Sequence, residues 1–139
     1  MIHFFYEDCS PFNQTLQKKL EKTTQLVEKE GFKKGELSVI FCSDDYLLSL
    51  NNTYLNHDYF TDIITFSYNE EGIISGDLFI SVDRTRDNAE KNNVSISNEL
   101  ARLVIHGMLH LCGFNDKAQE EIKVIRNKEE EYLKMFGFT

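Results

Sequence analysis

Proline and cysteine are scarce in this sequence, and tryptophan is absent. The three cysteines, Cys9, Cys42 and Cys112, are odd in number and form no C-x-x-C pair, so they predict reduced thiols and exclude a disulfide framework or a cysteine-rich zinc module. Apolar runs long enough to span a bilayer are also missing, and the first residues, MIHFFYEDCS, lack the basic and apolar blocks of a signal peptide. We therefore expect a cytoplasmic protein without a membrane segment.

Basic residues are also fewer than acidic ones. The chain has 15 basic and 23 acidic residues, a formal net charge of −8, which is the wrong sign for a nonspecific nucleic-acid binder. Any contact with a nucleic acid must therefore be local. With 41% hydrophobic residues and no break in composition, residues 1–139 are predicted to form a single domain with one core.

Hydrophobic periodicity predicts the element order β-α-β-α-β-β-α-α-α. The turn residues 69–72 predict a hairpin between the third and fourth strands. The fourth helix is the most clearly buried, and the charged last helix is expected to dock through Ile122, Ile125, Tyr132 and Met135. The predicted strands cover residues 2–6, 36–42, 62–68 and 76–81, and the predicted helices cover residues 12–30, 43–55, 84–92, 99–112 and 117–136. The fold class is α+β, a small mixed sheet with helices packed on it.

His106 and His110 are four residues apart in the buried helix, so both imidazoles lie on one side of it, within reach of one ion. Gly113 ends the helix and turns the chain back, which allows Asp116 to supply a third ligand from the following loop. Cys112 lies about 200° around the helix from His110 and is not expected to bind. The histidine pair alone is more typical of ordinary surface or core residues, but with the glycine and the carboxylate it favours a metal site.

The resulting spacing, H-x-x-x-H-x-x-G-x-x-D, has the ligand positions of the metzincin signature H-E-x-x-H-x-x-G-x-x-H. The glutamate that acts as general base in those peptidases is replaced here by Gly107, so a peptidase would lack its base. An aspartate as third ligand suits zinc but also manganese or nickel. We predict one Zn²⁺ ion, with Ni²⁺ or Mn²⁺ as alternatives, and three protein ligands that leave a position for water.

Three segments carry a family resemblance. The segment HGMLHLCGFND resembles the signature HGxLHLxGYDH of the YbeY family of metal-dependent single-strand endoribonucleases, which take part in ribosomal RNA maturation. The segments NNTYLNHDYFTDIITFS and SGDLFIS are similar to two further motifs of that family, and the order of motifs matches from Glu36 to Asp116. The resemblance implies a four-stranded sheet with one antiparallel strand, covered by about five helices, with the metal site at the end of a buried helix.

The same resemblance implies a function. It suggests a zinc-dependent endoribonuclease that acts on single-stranded ribosomal RNA, in maturation of the 16S rRNA end and in ribosome quality control. The implied partner is the small ribosomal subunit, together with a ribosome-associated GTPase or a ribosomal protein. Two alternatives stay open: a metallopeptidase-like hydrolase whose base comes from outside the helix, and a noncatalytic ribosome-assembly factor with a structural metal.

Carried over position by position, the resemblance puts His106 and His110 at the first two ligand positions of the family. Asp116 stands where the family signature has a third histidine. Leu55 stands where family members commonly carry an arginine, directly after the tyrosine of the N-x-x-Y segment. A phosphate-binding role at that position is therefore not transferred to this chain.

Candidate catalytic residues are chosen by their closeness to these motifs in the sequence. Asp77, in the strand that resembles the family's GDI segment, is a candidate for proton transfer or for support of a ligand, and a turn-capping aspartate is the alternative. Arg84 is a candidate to neutralise the charge that develops on phosphorus, and the other nearby cations are Arg86, Arg102 and Lys117.

Overall fold

The computed structural model describes residues 2–138, and its elements follow the predicted order. The strands are β1 (Ile2–Glu7), β2 (Lys33–Cys42), β3 (Ile63–Ser67) and β4 (Ile73–Ser81). The helices are α1 (Gln14–Thr23), α2 (Leu26–Lys29), α3 (Asp44–Leu55), α4 (Val82–Lys91), α5 (Ile96–Leu111) and α6 (Gln119–Met135). The two terminal residues of the predicted domain lie outside the described range. Within that range, no helix is long and apolar enough to cross a membrane.

One predicted helix is divided in two. The prediction of a single helix over residues 12–30 is wrong, because the chain turns between α1 and α2. The hydroxyls of Thr23 and Thr24, both buried residues, donate to the carbonyl oxygens of Leu20 and Glu21, at 2.6 and 2.7 Å. Hydroxyl groups that bond the backbone three residues back compete with continuation of a helix, which accounts for the turn at this point.

The four strands form one mixed sheet in the order β1-β2-β4-β3. β1 pairs with β2 and β2 pairs with β4 in parallel, whereas β3 runs antiparallel to β4 across the predicted hairpin. Five helices of ten or more residues, α1, α3, α4, α5 and α6, pack around this sheet, and α2 is a single turn of four residues. Within residues 2–138, these elements confirm the predicted α+β class with one antiparallel strand and about five helices.

Helix α5 lies at the centre of the larger hydrophobic core, against one face of the sheet. Leu78 and Ile80 of β4 are fully buried in this core with Leu103, Val104 and Met108 of α5. Because successive strand residues point to opposite faces, the β4 residues that alternate with Leu78 and Ile80 point to the other side of the sheet. That side packs on α3 in a smaller cluster whose buried members are Cys42, Leu47 and Ile64.

The C-terminal helix α6 docks on α5 with a set of residues that differs from the predicted one. Ile125 and Tyr132 are buried as predicted, but Met135 is 49% exposed and Leu133 is buried instead. The buried stripe of α6 also includes a charged residue, Glu129, which is only 2% exposed. A carboxylate inside an apolar interface requires hydrogen-bonding partners, and those partners lie on α5.

Candidate metal centre

Local sequence determines both ends of α5. The hydroxyl oxygen of its N-cap residue, Ser95, accepts a hydrogen bond from the Asn98 N–H at 3.0 Å. At the other end, Gly113 takes a left-handed conformation with a φ of +104°, and its N–H donates to the carbonyl oxygen of His110 at 3.0 Å. The chain therefore turns back after the last helical turn, as predicted, and brings Asp116 close to the histidines.

His106, His110 and Asp116 converge on one point. The two Nε2 atoms are 2.9 Å apart, and Oδ2 of Asp116 lies 3.3 Å from each of them. The side chains of His106 and His110 are 14% and 23% exposed, and that of Asp116 is 41% exposed. In the part of the chain that the structure describes, this is the one cluster of three such side chains with a geometry suited to a metal ion. The structure thus brings together the three ligands predicted from the sequence.

Hydrogen bonds on the far side of each ring set its orientation. Nδ1 of His106 lies 2.6 Å from Oε2 of Glu129, and Nδ1 of His110 lies 2.8 Å from the carbonyl oxygen of Phe114. A carboxylate and a carbonyl both accept hydrogen bonds, so each Nδ1 carries the hydrogen and donates it. The lone pairs of the two Nε2 atoms then face each other and the Asp116 carboxylate, an arrangement that a cation between them stabilises.

The donor set fits a divalent transition metal. Ligands about 2.0 to 2.1 Å from a tetrahedral ion are about 3.3 Å apart, which matches the two histidine–aspartate distances of 3.3 Å and is near the histidine–histidine distance of 2.9 Å. Two imidazoles and one carboxylate suit zinc, and they also suit manganese or nickel. A divalent ion in such a site supplies Lewis acidity, which acidifies water and polarises a phosphoryl oxygen.

Two charged residues lie on the same side of α5 as the histidines, nearer the start of the helix. Spacings of three and four residues put Glu99 and Arg102 on the same side of the helix as His106. Nη2 and Nε of Arg102 donate to the two carboxylate oxygens of Glu99 at 2.6 and 2.9 Å, and its Nη1 donates to Glu129 at 3.2 Å. The hydrogen bonds to Glu99 raise the pKa of Arg102, against the opposing effect of burial. Arg102 is therefore held by carboxylates and is not free to bind a phosphate group.

Two adjoining cavities lie along α5 and α6, and only the smaller one reaches the predicted ligands. The smaller one, of about 160 Å³, is lined by His106 and Asp116, and the larger one, of about 790 Å³, is lined by polar residues that include Asn92 and Asn98. Arg126 of α6 lines both cavities. This arginine is exposed, and it has no ion-pair partner among the described residues. Arg126 is thus a cation without an ion pair near the predicted ligands, and no sequence motif pointed to it.

Asp77 points away from the three ligands. Its neighbours on β4, Gly76 and Leu78, both face α5, so the Asp77 side chain projects from the opposite face of the sheet. There its carboxylate accepts a hydrogen bond from the Tyr68 hydroxyl at 3.0 Å, and this hydrogen bond raises the pKa of Tyr68. Asp77 lies in the middle of a strand rather than at a turn.

Arg84 lies at the far end of β4, in the first turn of α4. Its Nε donates to Asp44 at 3.0 Å, and its Nη1 donates to Asp87 at 3.0 Å. The last turn of α5, in contrast, lies beside the turn before β4, where the side-chain amide of Asn69 donates to the carbonyl oxygen of Leu111 at 2.8 Å. The structure brings neither candidate catalytic residue to the three ligands, and their catalytic roles stay predictions.

Comparisons with known proteins identify one family. A family model described as Endoribonuclease YbeY matches residues 4–137. The chain belongs to the YbeY endoribonuclease family. A curated relative named Endoribonuclease YbeY, from Flavobacterium johnsoniae, is 44% identical over 137 residues, which cover 98% of this chain and 97% of the relative. Another of the same name, from Azobacteroides pseudotrichonymphae, is 56% identical over 99 residues, which cover 71% of each chain.

A solved structure is similar to this chain in fold. The solution structure of a protein from Thermotoga maritima is 26% identical to this chain and superposes with a TM-score of 0.66, covering 98% of this chain and 91% of that protein. Membership of the YbeY family supports an endoribonuclease role, which is that of a hydrolase acting on RNA.

One position where the sequence departs from the expected family pattern is Leu55. It is the last residue of α3 and is exposed. It shares a cavity of about 240 Å³ with Tyr59 and Ile63, and among the described residues no lysine or arginine lines that cavity. Ile63 in turn faces Gly107 of α5. This cavity therefore offers no lysine or arginine side chain to a phosphate group.

Two residues of α6 belong to the surroundings of the ligands although no motif pointed to them. Glu129 follows Ile125 by four residues and precedes Tyr132 by three, so its position on an apolar stripe was a signal in the sequence that it is buried. Arg126 carried no comparable signal, because its position beside the ligands depends on how α6 packs against α5.

Proposed function

We propose that this chain is a zinc-dependent endoribonuclease that hydrolyses phosphodiester bonds in single-stranded ribosomal RNA, with one Zn²⁺ ion held by His106, His110 and Asp116. Residues 1–139 act as one hydrolase domain, and Ni²⁺ or Mn²⁺ are the alternative ions. The RNA is processed in the cytoplasm during maturation of the 16S rRNA end and during ribosome quality control. The partners are the small ribosomal subunit and a ribosome-associated GTPase or ribosomal protein.

One observation carries the proposal: two Nε2 atoms and one carboxylate oxygen converge within 3.3 Å of one another, while the Nδ1 atoms contact acceptors on the far side of each ring. Three protein ligands are typical of catalytic zinc sites, whereas structural sites usually have four. The partly exposed Asp116 side chain leaves this centre open to solvent. Membership in a family of endoribonucleases supports RNA as the substrate class.

We assign phosphate binding to Arg126. This arginine is exposed, lacks an ion pair within the described part of the chain, and lines the cavity that His106 and Asp116 also line. Because the net charge of −8 repels RNA at long range, a local cation is needed to hold the backbone near the ligands. A guanidinium group is well suited to this task, since its N–H donors match the geometry of phosphate oxygens.

The metallopeptidase alternative needs a general base next to the first histidine. Gly107 is buried against the sheet, and a Cβ atom there would lie 2.7 Å from Cδ2 of Leu78 and 2.9 Å from Cδ1 of Ile63. The position therefore faces the packed core and has no room for a glutamate. A peptidase would have to take its base from another element, and no observation favours one.

The noncatalytic alternative treats the ion as a structural tie between α5 and the loop before α6. Helix α6 already docks through buried apolar residues, so the fold has a source of stability other than the ion. The openness of the three-ligand centre also distinguishes it from a closed structural site. Both features support the enzymatic proposal over this alternative.

The central test is RNA cleavage. Zinc-loaded protein should cleave a single-stranded ribosomal RNA fragment, should leave the matching duplex intact, and should lose this activity in His110→Ala. His3→Ala is the matched control, because His3 is an exposed histidine of β1 that is bonded to Glu36 and lies outside the cluster. Cleavage at the wild-type rate by His110→Ala would mean that a contaminating nuclease is responsible, and the proposal would fail.

Two further outcomes would favour the alternatives. Metal-dependent hydrolysis of a peptide library, with RNA left intact, would replace the proposal with the peptidase. In cells depleted of the protein, restored ribosomal RNA processing by a folded His106→Ala variant would support the noncatalytic role instead.

A further inference from the structure

We infer that Glu129 is a positioning residue for the metal centre: it orients His106, and its negative charge strengthens cation binding. The inference rests on the proposed metal site, and it extends that site to α6, outside the segment HGMLHLCGFND. Arg102 and Glu99 hold Glu129 in place.

Glu129 is a buried carboxylate with one partner for each oxygen. Oε1 accepts a hydrogen bond from Nη1 of Arg102 at 3.2 Å, and Oε2 accepts one from Nδ1 of His106 at 2.6 Å. Burial of a carboxylate is costly unless hydrogen bonds and opposite charge compensate it. The shorter of the two contacts goes to the imidazole, so the main partner of Glu129 is the ring whose other nitrogen faces Asp116.

The charges that are hydrogen-bonded to one another around Glu129 do not balance. Arg102 directs two of its donors to Glu99, at 2.6 and 2.9 Å, and a third to Glu129. One guanidinium group therefore faces two buried carboxylates, and one negative charge is left over on the side of His106. This surplus and the charge on Asp116 together make two negative charges, which a divalent cation at His106, His110 and Asp116 would neutralise.

The two histidines differ in the hydrogen-bond acceptor that their Nδ1 atoms contact. Nδ1 of His106 donates to a carboxylate, whereas Nδ1 of His110 donates to the neutral carbonyl of Phe114. A carboxylate behind an imidazole locks the tautomer and makes the opposite nitrogen a stronger donor to a metal, and loss of such a partner typically weakens metal binding 10- to 100-fold. Since Glu129 lies on α6 and His106 on α5, the affinity for the metal depends on how α6 docks on α5.

Metal affinity provides the first test. Glu129→Gln keeps the side-chain size and removes the charge, and Glu131→Gln makes the same change in net charge on the exposed side of α6. In competition with a chromogenic chelator, we expect zinc to bind Glu129→Gln about 10- to 100-fold more weakly than wild type, and Glu131→Gln within about twofold of it. The visible absorption bands of the cobalt-substituted protein should shift in Glu129→Gln alone. Equal zinc affinities for the two variants would overturn the inference.

The second test requires no variant, so it holds even if Glu129 substitutions fail to fold. In ¹⁵N-labelled wild-type protein with zinc bound, the imidazole resonances of His106 should show a protonated Nδ1 and a metal-bound Nε2. A protonated Nε2 with zinc at Nδ1 would contradict the proposed contact to Glu129.

These measurements separate failure of the inference from failure of the proposed function. If wild-type protein binds no zinc, nickel or manganese at an equimolar level, the metal centre and the role of Glu129 both fall. If wild type binds the ion and Glu129→Gln binds it equally well, the metal centre stands and only the role of Glu129 is lost.

Discussion

Two polar clusters lie at opposite ends of β4, and they combine similar residues in different ways. The arginine cluster, at the α4 end, consists of Asp44, Ser81, Arg84 and Asp87. In it Arg84 donates to both aspartates at 3.0 Å, and the Ser81 hydroxyl donates to Asp44 at 2.6 Å. Both carboxylates accept hydrogen bonds from the same guanidinium group, so the donors of Arg84 are engaged within the cluster.

The histidine cluster, at the end of α5, consists of His106, His110, Asp116 and Glu129. The Nδ1 atoms of its two histidines point away from the centre, to Glu129 and to the Phe114 carbonyl, and the Nε2 atoms converge with the Asp116 carboxylate. A cation satisfies such a centre, whereas a closed ion-pair network needs none. Converging acceptor atoms therefore distinguish the candidate metal centre from the arginine cluster better than the density of charged residues does.

Removal of divalent ions should separate the two clusters most strongly. We expect a chelator to abolish RNA cleavage and one equivalent of zinc to restore it. Thermal unfolding should also shift, because an ion that binds only the folded state at 100 times its Kd adds about 2.7 kcal/mol to the free energy of unfolding. For a chain of this length that corresponds to about 10 °C in Tm.

Arg84→Ala is the control for this measurement. Because the arginine cluster holds no ion, the variant should show the same zinc-dependent rise in Tm as wild type. Cleavage that persists after complete removal of divalent ions would contradict the assignment of the histidine cluster.

Substitution of Arg126, beside the histidine cluster, and of Arg84, in the arginine cluster, should change different properties of the protein. Arg126→Ala should raise the KM for single-stranded RNA about tenfold, which corresponds to about 1.4 kcal/mol for one lost phosphate contact, and should leave zinc affinity unchanged. Arg84→Ala should instead lower the free energy of unfolding by about 1 kcal/mol, because Asp44 loses its cationic partner. Steady-state kinetics and chemical denaturation measure the two effects.

A different result for Arg84→Ala would support a catalytic role for Arg84. If Arg84→Ala lowers kcat without a change in stability, the role expected from the sequence is correct and the arginine cluster contacts the substrate. The salt dependence of KM gives an independent reading, since loss of a phosphate contact at Arg126 should make KM less sensitive to salt.

The smallest effect is expected from Asp116→His, which exchanges the ligand type without removing a ligand. Zinc affinity should stay within about tenfold of wild type, because zinc accepts either donor, and manganese should bind relatively more weakly to the extra imidazole. Competition titrations with the two ions measure the ratio. Asp116→Ala is the comparison, and it should lose much more affinity because a ligand is removed.

Elements with strong local signals were predicted well. Alternating and helical apolar patterns predicted the four strands and the order of the helices. The prediction failed between α1 and α2, where threonine hydroxyls bond to the backbone and interrupt a helical pattern that the apolar spacing continues. It also failed at Met135, which lies in the last turn of α6 and is half exposed.

By itself, the sequence determined the parts of the metal centre that are close together along the chain. The spacing of His106 and His110, the helix end at Gly113 and the carboxylate three residues later follow from helix geometry and glycine conformation. Tertiary structure decided the rest, because Glu129 and Arg126 reach the centre only when α6 docks on α5. Packing between distant elements brought a charge-compensating carboxylate and an unpaired cation to the ligands, and local rules do not specify such contacts.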